Sequence, residues 1–243
     1  VRAVNAESLE RLVPDELSSD DATGRDTLAL HLARYELAAR HARGRVLDLA
    51  CGVGYGTRLV ADGGAGVTEA VGVDLAADAV AYATAHYGRD GVRYACSDAY
   101  SFADAAGFDT VISLETIEHV PDPQRLVDAL VGHLRPGGVL VASVPTTPSV
   151  DANPHHLHDF TERSFAAMFA RHPVERVDEL RQVQGFSPFA AVSRSEKRMA
   201  DLRPNLVRYY LQHPRAAVTR ALATLRYGFT NRYLTVVMRR RAS

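Results

Sequence analysis

At 243 residues the chain is long enough to bury one substantial core, and its length favours a single domain with additions over two full domains. The formal net charge is −1, and although only Lys197 among the 28 basic residues is lysine, the arginines are scattered among 29 acidic residues, which argues against a nucleic-acid-binding stripe. No apolar run approaches the roughly 20 residues that cross a bilayer, no basic-then-apolar leader is evident, and Cys51 and Cys96 fall in no metal or redox spacing. A reducing, cytoplasmic setting is therefore expected, with neither nucleic acid nor membrane as partner.

Residues 1–43 read as an N-terminal helical segment, with Leu28, Leu32, Tyr35 and Ala39 marking one face after the Ser18-Ser19-Asp20-Asp21 break. From Arg45 onward, short β-rich runs alternate with helical patterns, as in a parallel sheet built from βαβ units. Strands are expected near 45–50, 69–74, 92–96, 108–114 and 138–144, with crossover helices near 54–62, 76–86 and 122–134. Leu126, Leu130 and Leu134 share one helical face, and Arg135-Pro136-Gly137-Gly138 stops that helix. The stretch 185–230 reads as a helical insertion, with helices around 195–201, 204–212 and 214–226 separated by Pro204 and Pro214. A last strand is expected near 233–238, and Arg239-Arg240-Arg241 reads as a solvated basic tail. The domain expectation is one unit over 1–243, comprising the N-terminal segment, a core over 44–184, the insertion, and the last strand and tail over 231–243.

The chemistry concentrates in Val46-Leu47-Asp48-Leu49-Ala50-Cys51-Gly52-Val53-Gly54-Tyr55-Gly56, where an apolar strand leads into an acid and then three alternating glycines. Alternating glycines permit tight turns and a close approach of a ligand to the main chain. The spacing is G-x-G-x-G, unlike the G-x-G-x-x-G of dinucleotide sites, and Asp48 would repel a pyrophosphate. That argues against an NAD-dependent oxidoreductase. An acid here suits a cationic amino group, such as the methionine end of S-adenosylmethionine presents.

With this loop followed in order by Val71-Gly72-Val73-Asp74-Leu75, Cys96-Ser97-Asp98-Ala99 and Phe108-Asp109-Thr110-Val111-Ile112-Ser113-Leu114-Glu115, residues 45–145 resemble class I S-adenosylmethionine-dependent methyltransferases. The resemblance implies a Rossmann-like α/β fold: a seven-stranded, mostly parallel sheet with helices on both faces, carrying the N-terminal helical segment and the C-terminal helical insertion. It implies that Asp48, Ala50, Gly52, Gly54 and Gly56 cradle the methionyl part of the cofactor. In Val71-Gly72-Val73-Asp74-Leu75, Asp74 is implied to bond the ribose hydroxyls, and Leu75 to lie against adenine. Asp74 stands 22 residues beyond Gly52, as expected for an acid that reads ribose. Asp98 and Ala99 of Cys96-Ser97-Asp98-Ala99 are implied to contact the adenine, and Glu115 ends the fourth strand on the cofactor side.

A looser resemblance, to O-methyltransferases of saccharide and natural-product pathways, rests on four segments. They are His31-Leu32-Ala33-Arg34-Tyr35-Glu36, Gly54-Tyr55-Gly56 inside the glycine loop, Glu115-Thr116-Ile117-Glu118-His119, and Asn153-Pro154-His155-His156 followed by Asp159-Phe160-Thr161. A hydroxyl acceptor needs a base, for which histidine is suited. His156 is the expected base, with His119 or Glu118 orienting it or the acceptor. Transfer to the nitrogen of an amino sugar is the alternative, and a non-catalytic cofactor-binding module is a further reading. Glu115, Glu118, His119 and His156 could also gather around a divalent ion such as Mg2+, and the 185–230 stretch offers a surface for a homodimer.

Overall fold

The computed structural model describes residues 22–185 and 205–242, together with Pro14 and Arg203. Its elements follow the chain as α1 (Ala22–His41), β1 (Gly44–Leu49), α2 (Tyr55–Gly63), β2 (Val67–Asp74), α3 (Ala77–Tyr87), β3 (Val92–Cys96) and β4 (Phe108–Leu114). After a single 3-10 turn at Ile117–His119 come α4 (Pro123–His133), β5 (Leu134–Pro145), α5 (Glu162–Ala167) and β6 (Val174–Gly185), then α6 (Leu206–Gln212), α7 (Pro214–Tyr227) and β7 (Thr230–Arg240).

The seven strands form one sheet in the order β3-β2-β1-β4-β5-β7-β6. Neighbours from β3 through β5 run parallel, while β7 pairs antiparallel with both β5 and β6. Strand order reverses between β1 and β4, which pair directly through Val46 with Thr110 and Asp48 with Ile112. In an open α/β sheet the crevice for ligands lies beyond the carboxyl ends of the strands at such a point.

Alternation along β1 explains why both faces are covered. Leu47 and Leu49 belong to a core that includes Leu126, Leu130 and Val131 of α4 and Phe165 of α5. Val46 belongs to a second core on the opposite face, with Tyr35, Leu37 and Ala38 of α1 and Val60 of α2. A strand buried on both sides reads as a continuous apolar run, and Asp48 stands out within it. The helix boundaries follow local signals: Asp122 caps α4 by accepting from the Arg125 N–H, Pro123 opens its first turn, and Thr161 and Ser164 form a reciprocal cap on α5.

Several expectations need revision. The sixth strand, β6, was not located in the sequence, because Val174-Glu175-Arg176-Val177-Asp178-Glu179-Leu180 carries charges more densely than a core strand. It lies at the sheet edge, where only β7 pairs with it. β5 starts at Leu134, four residues early, because Leu134 pairs with Phe108 before an irregularity in the ladder. The basic triplet is no free tail: Arg239 and Arg240 complete β7, and Arg240 donates to the carbonyls of Val131 and Leu134. On α1 the buried positions include Leu37, Ala38 and Arg34, whereas Leu28 and Leu32 are half-buried. The expected helix at 195–201, and the segment before residue 22 apart from Pro14, lie outside the described residues.

Leu130 is fully buried under the sheet. Leu130→Ala should lower unfolding stability by about 2–5 kcal/mol in urea titrations.

Candidate functional site

At the carboxyl end of β1, Asp48 is wholly buried. Its Oδ2 accepts from the Thr57 hydroxyl of α2 at 2.6 Å and from the Tyr35 hydroxyl of α1 at 3.3 Å, while Oδ1 has no hydrogen-bond partner. Burial pushes the Asp48 carboxyl up to about 7, against the lowering effect of those two hydroxyls. A buried acceptor without a donor is costly unless something supplies one. A ligand carrying a cationic amino group fits that need.

The next residues turn sharply. Ala50 has φ +67°, Gly52 +56° and Gly54 +86°, and the N–H groups of Ala50 and Cys51 both donate to the Val73 carbonyl, fastening the loop to β2. The three glycines serve different ends. A Cβ on Gly52 would meet no atom within 4 Å, so that side of the loop is open to a ligand. On Gly54 it would stand 2.6 Å from Ala83 and the Tyr94 ring, and on Gly56 2.0 Å from the Tyr35 ring. Gly54 and Gly56 are thus demanded by packing within the chain.

Asp74, ending β2, accepts from the Gly52 N–H through Oδ2 at 2.9 Å and from the Ala76 N–H through Oδ1 at 3.0 Å, joining the two loops. Leu75 follows with 67% of its surface exposed, although it is a large apolar residue beside polar turns. Asp98 accepts from the Tyr100 and Ser101 N–H groups and shapes the turn after β3, next to the half-buried Ala99.

Glu115 ends β4 in the left-handed region, with φ +51°. Together with Ala50 it places strained non-glycine backbone at the ends of the two strands that flank the switch point, a feature that clusters at functional sites. Its Oε1 accepts from the Ser143 hydroxyl at 2.7 Å and lies 3.8 Å from the fully buried Arg34 guanidinium. Arg34, missed as a site residue because arginines are common here, also donates to Gln182 and stacks over the Tyr233 ring. Its place in the segment 31–36, beside Tyr35 on the buried side of α1, was the available signal.

Beyond β4, Glu118, His119 and His156 come together, with ligand-type atoms of all three within 4.8 Å of one another. Glu118 is buried, and the His119 and His156 rings meet edge to face at 4.6 Å. Glu115 is not part of this group. The histidine loop is stitched to the turn beneath it: the Leu157 N–H donates to the Glu118 carbonyl, and His119 Nδ1 lies 3.1 Å from the His155 carbonyl. His156 Nδ1 is 2.7 Å from the Ser149 hydroxyl, while His158 Nε2 is engaged with the Val120 carbonyl.

Asp151, also unforeseen, anchors the same loop. Its carboxylate takes the Arg220 guanidinium of α7 and the Tyr210 hydroxyl of α6, and Arg220 donates further to the Pro148 carbonyl. Burial pushes the Asp151 carboxyl up, and Arg220 more than offsets this, holding it below its ordinary value. No sequence spacing links residues 151 and 220, so the pair was invisible before folding. A shallow depression lined by Phe169, Val174, Val236 and Met238 contains none of these residues.

Residues 47–142 match the family model for a methyltransferase domain. Over that segment the chain is similar to S-adenosylmethionine-dependent methyltransferases. The domain is 41% identical over 103 residues to a ubiquinone biosynthesis O-methyltransferase of Idiomarina loihiensis, covering 41% of each chain. It is 33% identical over 136 residues to a probable S-adenosylmethionine-dependent methyltransferase of Mycolicibacterium smegmatis, covering 53% of this chain and 51% of the relative. The matches thus span about two fifths to one half of these curated relatives. Among solved structures, the YcgJ protein of Bacillus shares the fold with a TM-score of 0.64 at 17% identity, covering 90% of this chain and all of that one. The shared fold therefore extends beyond the segment that the family model matches.

Because burial raises Asp48, its protonated form stabilises the folded chain. That contribution is complete below the unfolded-state value of about 3.9 and is lost as pH rises through about 7. A cation bound beside it reverses the preference. Calorimetric affinity for S-adenosylhomocysteine should therefore rise between about pH 6 and pH 8, with proton release, and Asp48→Asn should flatten that slope.

Proposed function

We propose that this protein transfers a methyl group from S-adenosylmethionine to a hydroxyl of a small molecule, of the saccharide or natural-product type that Asn153-Pro154-His155-His156 suggests. The cofactor supplies an activated methyl on a sulfonium and its own leaving group. The chain's task is to hold that methyl in line with an acceptor, exclude water and take up a proton. The donor end is served by Asp48, Gly52, Asp74 and Leu75 around the ends of β1 and β2, with the open flank of Gly52 and the unmatched Oδ1 of Asp48 as the features that fit it.

The observation that carries the acceptor reading is the meeting of His156 with His119 and Glu118 past the end of β4. Ser149 orients the His156 ring through Nδ1, and the His119 ring packs against it. A positioned imidazole is a competent base for a hydroxyl proton near neutral pH. Glu118 lies buried beside the two rings, with a carboxylate oxygen within 4.8 Å of a nitrogen of each. The relative named as an O-methyltransferase supports oxygen as the nucleophile; an amine acceptor would need little help from a base. His156→Ala should lower turnover of a hydroxyl acceptor by about 10²–10⁴-fold while leaving S-adenosylhomocysteine affinity unchanged in calorimetry. Unchanged turnover would remove His156 from this role.

A second reading has the same three side chains holding a divalent ion. Two imidazoles and one carboxylate suit zinc or another transition metal, whereas magnesium prefers an all-oxygen set. The set does not fit Mg2+, and Glu115, committed to Ser143 and Arg34, does not extend it. Under the base reading, dialysis against a chelator leaves turnover unchanged. Loss of turnover restored by zinc and not by magnesium would establish the metal reading instead.

A further inference from the structure

Helices α6 and α7, in the connection from β6 to β7, have the large apolar residues of their exposed sides turned outward. Neither helix contains a buried residue. On α7 the half-buried side is made of Ala216, Ala217, Arg220, Ala223, Thr224 and Tyr227. Val218, Leu222 and Leu225, spaced four and three apart, are instead 60%, 62% and 84% exposed. On α6, Val207 and Leu211 are likewise 75% and 79% exposed. A helix that merely covers a domain turns its large apolar side chains inward. On α7 the inward side is small or polar apart from Tyr227, and the apolar stripe faces out.

Charge selects what covers it. From Arg203 to Ser243 the chain contains nine arginines and no aspartate or glutamate. Arg208, Arg215 and Arg226 occupy exposed positions beside the apolar stripe, while Arg220 is drawn inward to Asp151. Two copies joined on this face by a two-fold axis would set arginine near arginine with no acid on these helices to compensate. An anionic lipid surface satisfies both halves at once, taking the aliphatic side chains into the headgroup boundary and pairing the guanidinium groups with phosphates. We propose that α6 and α7 dock this protein on the surface of an anionic membrane. The sequence-based expectation of no membrane contact rested on the absence of a spanning run, and no described helix is long and apolar enough to span. A helix lying in the interface requires no such run.

The position of this surface gives it a bearing on the acceptor site. The inward side of α7 is fastened through Arg220 to Asp151 and the Pro148 carbonyl, in the loop that carries His156. Bound lipid would therefore lie about one helix diameter, roughly 10 Å, from that loop.

The test is co-sedimentation of the full chain with vesicles of phosphatidylcholine containing phosphatidylglycerol, beside vesicles of phosphatidylcholine alone. Binding is expected to the anionic vesicles, weakening as salt is raised. The substitutions Leu222→Ser and Leu225→Ser together should lower partitioning by about a hundred-fold, and Arg215→Glu with Arg226→Glu should abolish the preference for anionic lipid. Both pairs are exposed, and unchanged thermal melting and S-adenosylhomocysteine affinity will show that each variant is folded. No binding to anionic vesicles, equal binding to neutral ones, or binding unaffected by the leucine substitutions would overturn the proposal. A concentration-dependent dimer in sedimentation equilibrium that the leucine substitutions dissociate, without vesicle binding, would overturn it in favour of a second copy. The test reads binding without turnover, so failure of the methyl-transfer reading leaves its result intact.

Discussion

A carboxylate shut away from water at the end of β1 is the constraint around which the rest is arranged. Asp48 cannot be solvated, so its Oδ2 draws a hydroxyl from α2 and another from α1, and those two bonds fix both helices against the same strand. The remaining oxygen is left for whatever enters the crevice. Under the proposed function, the stability forgone by burying this acid is recovered when the cationic end of the cofactor binds, which would couple ligand affinity to the protonation state of one residue. The positive-φ backbone of Ala50 and Glu115 on either side of the switch point is held in the same manner, by the sheet and by Ser143.

The acceptor side is governed by a different economy. The loop after β5 has little regular structure and few apolar residues, yet its geometry is over-determined. Asp159 receives the N–H groups of Ser149 and Val150, the Glu118 carbonyl receives the Leu157 N–H, and Asp151 is clamped by Arg220 and Tyr210. A buried ion pair of this kind contributes little net stability but strongly penalises loss of either partner. Its effect is specificity of placement, holding the histidines against the turn after β4.

Legibility in the sequence followed the range of the interactions concerned. β1, β2, β4 and the helices between them were readable because each advertises itself locally, through an apolar run, a cap or a glycine turn. The places of Asp48, Asp74 and Asp98 at or just past the carboxyl ends of β1, β2 and β3 follow from that same alternation. β6 was not, since an edge strand with exposed charges has no local period to betray it. Arg34 and the Asp151–Arg220 pair were hidden for a stronger reason: their partners lie 148 and 69 residues away and exist only once the sheet has formed. The glycines were legible as a group but not one by one, because sequence spacing does not distinguish a residue kept small for a ligand from one kept small for a neighbouring ring.

That distinction has a consequence at Gly56. The Tyr35 ring occupies the space that any side chain at position 56 would fill, and the same tyrosine reaches Asp48 with its hydroxyl. Positions 35 and 56 are therefore a single steric variable shared between two helices. Descendants of this chain can enlarge one only by shrinking the other, and shrinking Tyr35 surrenders a donor to the buried acid, so the pair is expected to drift in concert or not at all.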